Sequence, residues 1–76
     1  MNYSKAQIQN LQNIYESDEE SLNAKDFVDE NGVKLKDSTQ IVKELIALDL
    51  IEIEIEEDVY YLTYKGFLYV EAINTK

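Results

Sequence analysis

The side chains in this 76-residue chain that could do chemistry are carboxylates: sixteen Asp and Glu stand against seven basic residues, for a formal charge of −9. General acid–base catalysis needs carboxyls held in a desolvated cleft with their pKa values driven apart. Here the acids gather in two runs, Glu16-Ser17-Asp18-Glu19-Glu20 and the stretch from Glu52 to Asp58, which read as a solvated loop and the wet face of a strand. A carboxylate-only metal site would favour calcium or magnesium. The nearest approach to a calcium loop is Asp29-Glu30-Asn31-Gly32-Val33, but Val33 stands where an oxygen ligand is needed and Gly32 comes too early. Ser38 and Thr39 have no His or thiol to activate them, because the chain contains neither His nor Cys. The same absences exclude zinc fingers, iron–sulfur and haem ligation and disulfides, and two Gly residues leave no phosphate-cradling loop. The residues therefore point away from an enzyme, and no metal or cofactor is expected.

Apolar residues make up 45 % and charged residues 30 % of the chain, as in a folded protein. One domain, 1–76, is expected, with a thin core, since a chain this short buries only about 60 % of its unfolded surface. No run approaches the roughly 18–20 apolar residues of a membrane span, and the opening MNYSKAQIQN lacks the apolar stretch of a signal peptide. A cytoplasmic protein with no membrane partner is the expectation. Its charge should repel nucleic acid and anionic lipid at long range.

The elements follow from periodicity. Ile8, Leu11, Ile14 and Tyr15 fall at helical spacing after a capping Ser4. Ser21 or Asn23 is expected to cap a second helix carrying Ala24, Phe27 and Val28, ended by Asn31-Gly32, with a short extended piece at Val33–Leu35. Asp37-Ser38-Thr39-Gln40 has the form of a capping box opening a helix with Ile41, Val42, Leu45, Ile46 and Leu48 inward. Ile51, Ile53 and Ile55 alternate with Glu52, Glu54 and Glu56, the pattern of a strand with one dry face, which makes Ile53 a core residue. Glu57-Asp58 is the turn into a second strand, Val59-Tyr60-Tyr61-Leu62, and Thr63 caps a closing helix to about Ile73 with Phe67, Val70 and Ile73 inward. Tyr15, Phe27, Tyr61 and Phe67 are expected in the core, with Tyr60, Tyr64 and Tyr69 partly exposed as candidate interface anchors.

The expected class is α+β: a three-helix bundle with a C-terminal two-stranded wing and a closing helix. The residues Leu45-Ile46-Ala47-Leu48-Asp49-Leu50-Ile51-Glu52, followed by Tyr60-Tyr61-Leu62-Thr63-Tyr64-Lys65-Gly66, resemble the wing signature of winged helix-turn-helix regulators of the MarR and PadR type. The resemblance covers about the last 40 residues tightly; the first two helices match only in order and length. It implies DNA binding through the helix that starts near Asp37, with Ser38 and Thr39 on phosphate, Gln40 reading adenine, and Lys34, Lys36 and Lys43 as local positive charge.

The charges argue the other way. Glu52, Glu54, Glu56, Glu57 and Asp58 crowd the element that should approach phosphate, and all seven basic residues are Lys, so no Arg offers a bidentate contact. The favoured reading is an acidic winged helix that meets a protein partner with a basic surface. Its binding residues would be that wing set, with Asp18, Glu19 and Glu20 second. Small, acidic, Arg-free chains of this kind resemble phage-encoded inhibitors that mimic DNA. The alternative is a transcriptional regulator binding DNA directly. A homodimer is compatible with either.

Overall fold

The structure, a computed structural model, describes residues 2–54 and 58–75. Helix α1 runs Lys5–Glu16, strand β1 Ser21–Asn23, a single 3₁₀ turn Ala24–Asp26, helix α2 Thr39–Ala47, strands β2 Ile51–Ile53 and β3 Val59–Leu62, and helix α3 Tyr64–Asn74. The strands form an antiparallel sheet in the order β1-β3-β2. The fold is α+β, with three helices and three strands among the described residues.

Capping chemistry sets the helix ends. Ser4 and Gln7 form a reciprocal capping box on α1, and Thr63 accepts from the Gly66 N–H to start α3. Asp49 ends α2 in the left-handed conformation, φ 61°. Its N–H donates to the Ile46 carbonyl and that of Leu50 to Leu45, so the last carbonyls are satisfied although the chain has no Gly there. The capping box expected at Asp37 is not formed. Asp37 accepts from the Thr39 N–H and hydroxyl, and the Gln40 side chain donates to Glu44.

The expected second helix is replaced by β1 and the 3₁₀ turn. Ser17 Oγ accepts from the Ser21 N–H and donates to the Ser21 carbonyl, while Glu20 turns the chain back at φ 55°. Ser21, Leu22 and Asn23 then pair with Tyr61, Tyr60 and Val59. The aromatic-rich β3 needs partners on both edges, and this non-local pairing overrides a weak local helical preference. Asn23 does act as a cap, but of one 3₁₀ turn.

Leu11, Ile14, Phe27, Leu45, Leu50 and Val70 are fully buried, joined by Ile41, Val42, Ile51 and Tyr60. Four expectations about facing fail. Ile53 is 50 % exposed although Ile51 is 2 % exposed, because β2 passes beyond the bundle within three residues. Tyr60, not Tyr61, is the core tyrosine of β3, packed edge-on against Phe27 and sharing its face with Leu22 and Ile51. Ile46 lies outside the buried stripe of α2, and Phe67 is 38 % exposed because Gly66 and Val70 form the buried face of α3. Ile55, Glu56 and Glu57 lie outside the described residues.

Gly66 is required by close approach. A Cβ at this position would lie 2.1 Å from the Leu50 carbonyl oxygen. That carbonyl accepts from the Thr63 N–H, the Thr63 hydroxyl donates to the Asp49 carbonyl, and Lys65 Nζ donates to the Leu48 carbonyl. Thr63, Lys65 and Gly66 thus clamp the start of α3 onto the end of α2.

Candidate functional site

Glu19 and Glu20 of the first acidic run and Glu52 and Glu54 of the second are far apart in sequence, and the strand order brings them to one face of the sheet. Tyr61 sits on the central strand, opposite Glu52 of β2 on one side and Ser21 of β1 on the other. Side chains in register across a sheet share a face, so Glu52 and Tyr61 lie together on the side away from the core, and Glu54 follows two residues on. Glu20 immediately precedes β1, and Glu19 and Glu20 line a groove with Tyr61, Tyr64 and Phe67. With neighbouring strands about 4.8 Å apart, Glu52 stands roughly 10 Å across the sheet from Ser21, the residue that follows the 18–20 turn. Asp18, Glu19, Glu20, Glu52 and Glu54 are all exposed, and among the described residues no Lys pairs with them.

Asp58 does not join this face. It is exposed, but its carboxylate accepts from the hydroxyl of the core residue Tyr60 at 3.3 Å. Burial first, then the Asp58 charge, raises the Tyr60 phenol above its ordinary value. Glu56 and Glu57 fall outside the described residues.

The residues of the DNA reading cluster around the start of α2, but three of the six already have partners. Lys34 Nζ is 3.0 Å from Asp26 Oδ1, the one ion pair among the described residues. The Thr39 hydroxyl donates to Asp37 at 2.6 Å, and Gln40 Nε2 to Glu44 at 3.1 Å. The hydroxyl of Thr39, then its N–H, holds the Asp37 carboxyl below the usual carboxylate range. A fixed negative charge therefore stands at the N-terminal end of α2, where a phosphate would have to approach. Gln7, then Gln40, likewise lowers the Glu44 carboxyl.

Asp29 directs its carboxylate inward on its own loop, accepting from the Asn31 and Val33 N–H groups while Gly32 takes φ 80°. Among the described residues no group of three or more Asp or Glu is placed to hold a metal ion, and no helix is long and apolar enough to cross a membrane.

Two features were not read from the sequence. One is the aromatic wall of Tyr61, Tyr64 and Phe67, which spans the corner from β3 into α3 and obeys no single period. The other is Asn10, a fully buried polar residue that holds the Val28 backbone. The signal for Asn10 was present: Ala6, Asn10 and Ile14 share a helix face. No family model, curated protein or solved structure matches this chain.

Proposed function

We propose that this chain is a non-enzymatic winged-helix domain that acts by protein–protein contact, its acidic sheet face occupying a basic, nucleic-acid-binding surface on the partner. The winged-helix reading is supported by the Thr63–Gly66 clamp, which holds the start of α3 on the end of α2, and by the packing of β2 on α2 and of β3 on α1 and α3. It departs from the plan where a second helix would stand. The observation that carries the functional reading is the distribution of free charge. Glu52 and Glu54 stand exposed on the same sheet face as the groove lined by Glu19 and Glu20, whereas Lys34, Thr39 and Gln40 are engaged within the chain. Alternate residues on a strand are about 6.6 Å apart, a separation close to that of successive phosphates, so Glu52 and Glu54 present charge at a compatible interval.

The second reading, direct DNA binding, draws on Lys36 and Lys43, which are exposed on either side of the α2 N-terminus. One experiment separates the two. Labelled random-sequence duplex is titrated with the protein at about 20–50 mM salt, where phosphate contacts are strongest, and the protein is then used to displace the duplex from basic duplex-binding proteins. The proposal expects no direct binding, displacement that weakens with salt, and weaker displacement by Glu52→Gln with Glu54→Gln. Direct binding that falls steeply with salt and is abolished by Lys36→Glu with Lys43→Glu would overturn it in favour of the regulator. Displacement by the Gln variant equal to that of the parent would also overturn it.

A further inference from the structure

The groove beside Tyr61 has features that the acidic face alone does not explain. It offers about 290 Å³, just below the roughly 300–1,000 Å³ of ligand pockets, and is half open to solvent, which suits one long side chain better than a whole small molecule. It is lined by the aromatic side chains Tyr61, Tyr64 and Phe67, by Leu62 and Thr63, and by the carboxylate residues Glu19 and Glu20. Tyr64 is 77 % exposed and Phe67 38 %, so both rings can be reached from solvent. Phe67 is backed by Tyr15, with ring centroids 5.9 Å apart, and the Tyr15 hydroxyl donates to Glu71, so that wall is held in place.

Aromatic faces beside carboxylates favour a cation with a flat or apolar body, and a planar guanidinium satisfies both by stacking on a ring and forking to a carboxylate. A second copy of this chain is a poor occupant, because it would bring another −9 against the same carboxylates and has no Arg to insert. We propose that the groove between the 17–20 turn and the start of α3 receives an arginine side chain from the partner protein. This rests on the protein-contact reading and names the anchor that the partner supplies. The ring faces hold the guanidinium and the stem, Glu19 and Glu20 provide the counter-charge, and Glu52 and Glu54 meet further basic residues beyond the groove.

The test is an amide and aromatic NMR titration of the full chain with the capped peptide Gly-Gly-Arg-Gly-Gly, its Lys counterpart and a citrulline counterpart. The Arg peptide should shift Glu19, Glu20, Tyr61, Tyr64 and Phe67 most, the Lys peptide should bind more weakly, and the citrulline peptide should not bind. Tyr64→Ala removes a ring that is mostly in solvent, so the fold is kept, and it should lower Arg-peptide affinity about two- to fivefold. Glu19→Gln with Glu20→Gln should lower it further. Shifts confined to Glu52 and Glu54, or equal binding of the Arg and citrulline peptides, would overturn the groove assignment while leaving the acidic-face reading intact. Absence of binding by the Arg peptide would overturn it as well, and the duplex-displacement result then shows whether the broader reading falls with it.

Discussion

Asn10 and Val28 hold each other through paired hydrogen bonds: the Val28 N–H donates to Asn10 Oδ1, and Asn10 Nδ2 donates to the Val28 carbonyl, both at 2.8 Å. The side-chain amide acts as a piece of backbone, tying the irregular segment after the 3₁₀ turn to α1. A second donation from Nδ2 to the Ala6 carbonyl fixes the carboxamide's orientation.

Replacing Asn10 with Ala strands the buried N–H and carbonyl of Val28. Leaving such groups unsatisfied costs about 1–3 kcal/mol each, against a total stability for a chain this size of roughly 4–11 kcal/mol. Urea unfolding of Asn10→Ala should show a loss of about 2–6 kcal/mol in two-state analysis. Asn10→Asp should not rescue it, since a carboxylate cannot donate to the Val28 carbonyl.

The two glycines should respond very differently to Ala. At Gly66 the new Cβ meets the Leu50 carbonyl oxygen at 2.1 Å, so the α2–α3 junction has to open. Thermal unfolding should show Gly66→Ala destabilised by about 3 kcal/mol or more. Gly32 has nothing within 4 Å of its Cβ position and φ 80°, so Gly32→Ala meets only the left-handed penalty, about 1–2 kcal/mol.

The strand β2 offers a paired test of facing. Ile51→Asp places a carboxylate in the core and should leave the chain unfolded by circular dichroism. Ile53→Asp falls on a half-exposed position and should stay folded and cooperative. If both variants unfold, the hairpin is docked along its full length.

Stability should fall at both ends of the pH scale for identifiable reasons. Asp37 and Glu44 titrate below their ordinary values in the folded chain, so their contribution is present above the unfolded carboxyl range of about pH 4 and is lost as pH falls through the folded values. Tyr15 is raised chiefly by its hydrogen bond to Glu71, and Tyr60 chiefly by burial. Their contribution is full below about pH 10 and is lost as pH rises through the folded values. Urea midpoints across a pH series should show Tyr60→Phe with a shallower alkaline limb and Asp37→Asn with a shallower acid limb.

Much of the fold was legible where local rules acted alone. Ser4 and Thr63 cap as their positions suggest, and Ile51, Val59 and Leu62 lie in the strands that their spacing indicates. The misreadings arose where distant chain segments decide. Ser21–Asn23 becomes a strand only because β3 lies beside it, and nothing in Leu22 or Asn23 alone announces that pairing. Adjacent Tyr60 and Tyr61 left the facing of β3 open to a one-residue flip, which the cross-strand neighbours Leu22 and Ile53 resolve. The acidic runs were visible as composition. The approach of Glu19, Glu20 and Glu52 to Tyr61 was not, because it depends on the order β1-β3-β2.

Among the described residues that order leaves the outer edges of β1 and β2 without a strand partner, and an open edge is a template for another strand. On β2 the residues flanking half-exposed Ile53 are Glu52 and Glu54, so a second copy arriving edge-on at neutral pH meets carboxylates with its own. Near the isoelectric point of about 4.2 the chain carries no net charge, so the repulsion between copies is lost while the exposed isoleucine stays. Concentrated solutions held there should build cross-strand assemblies that redissolve as the net negative charge returns at higher pH. The carboxylates proposed to meet a foreign partner thereby also keep the molecule from polymerising with itself.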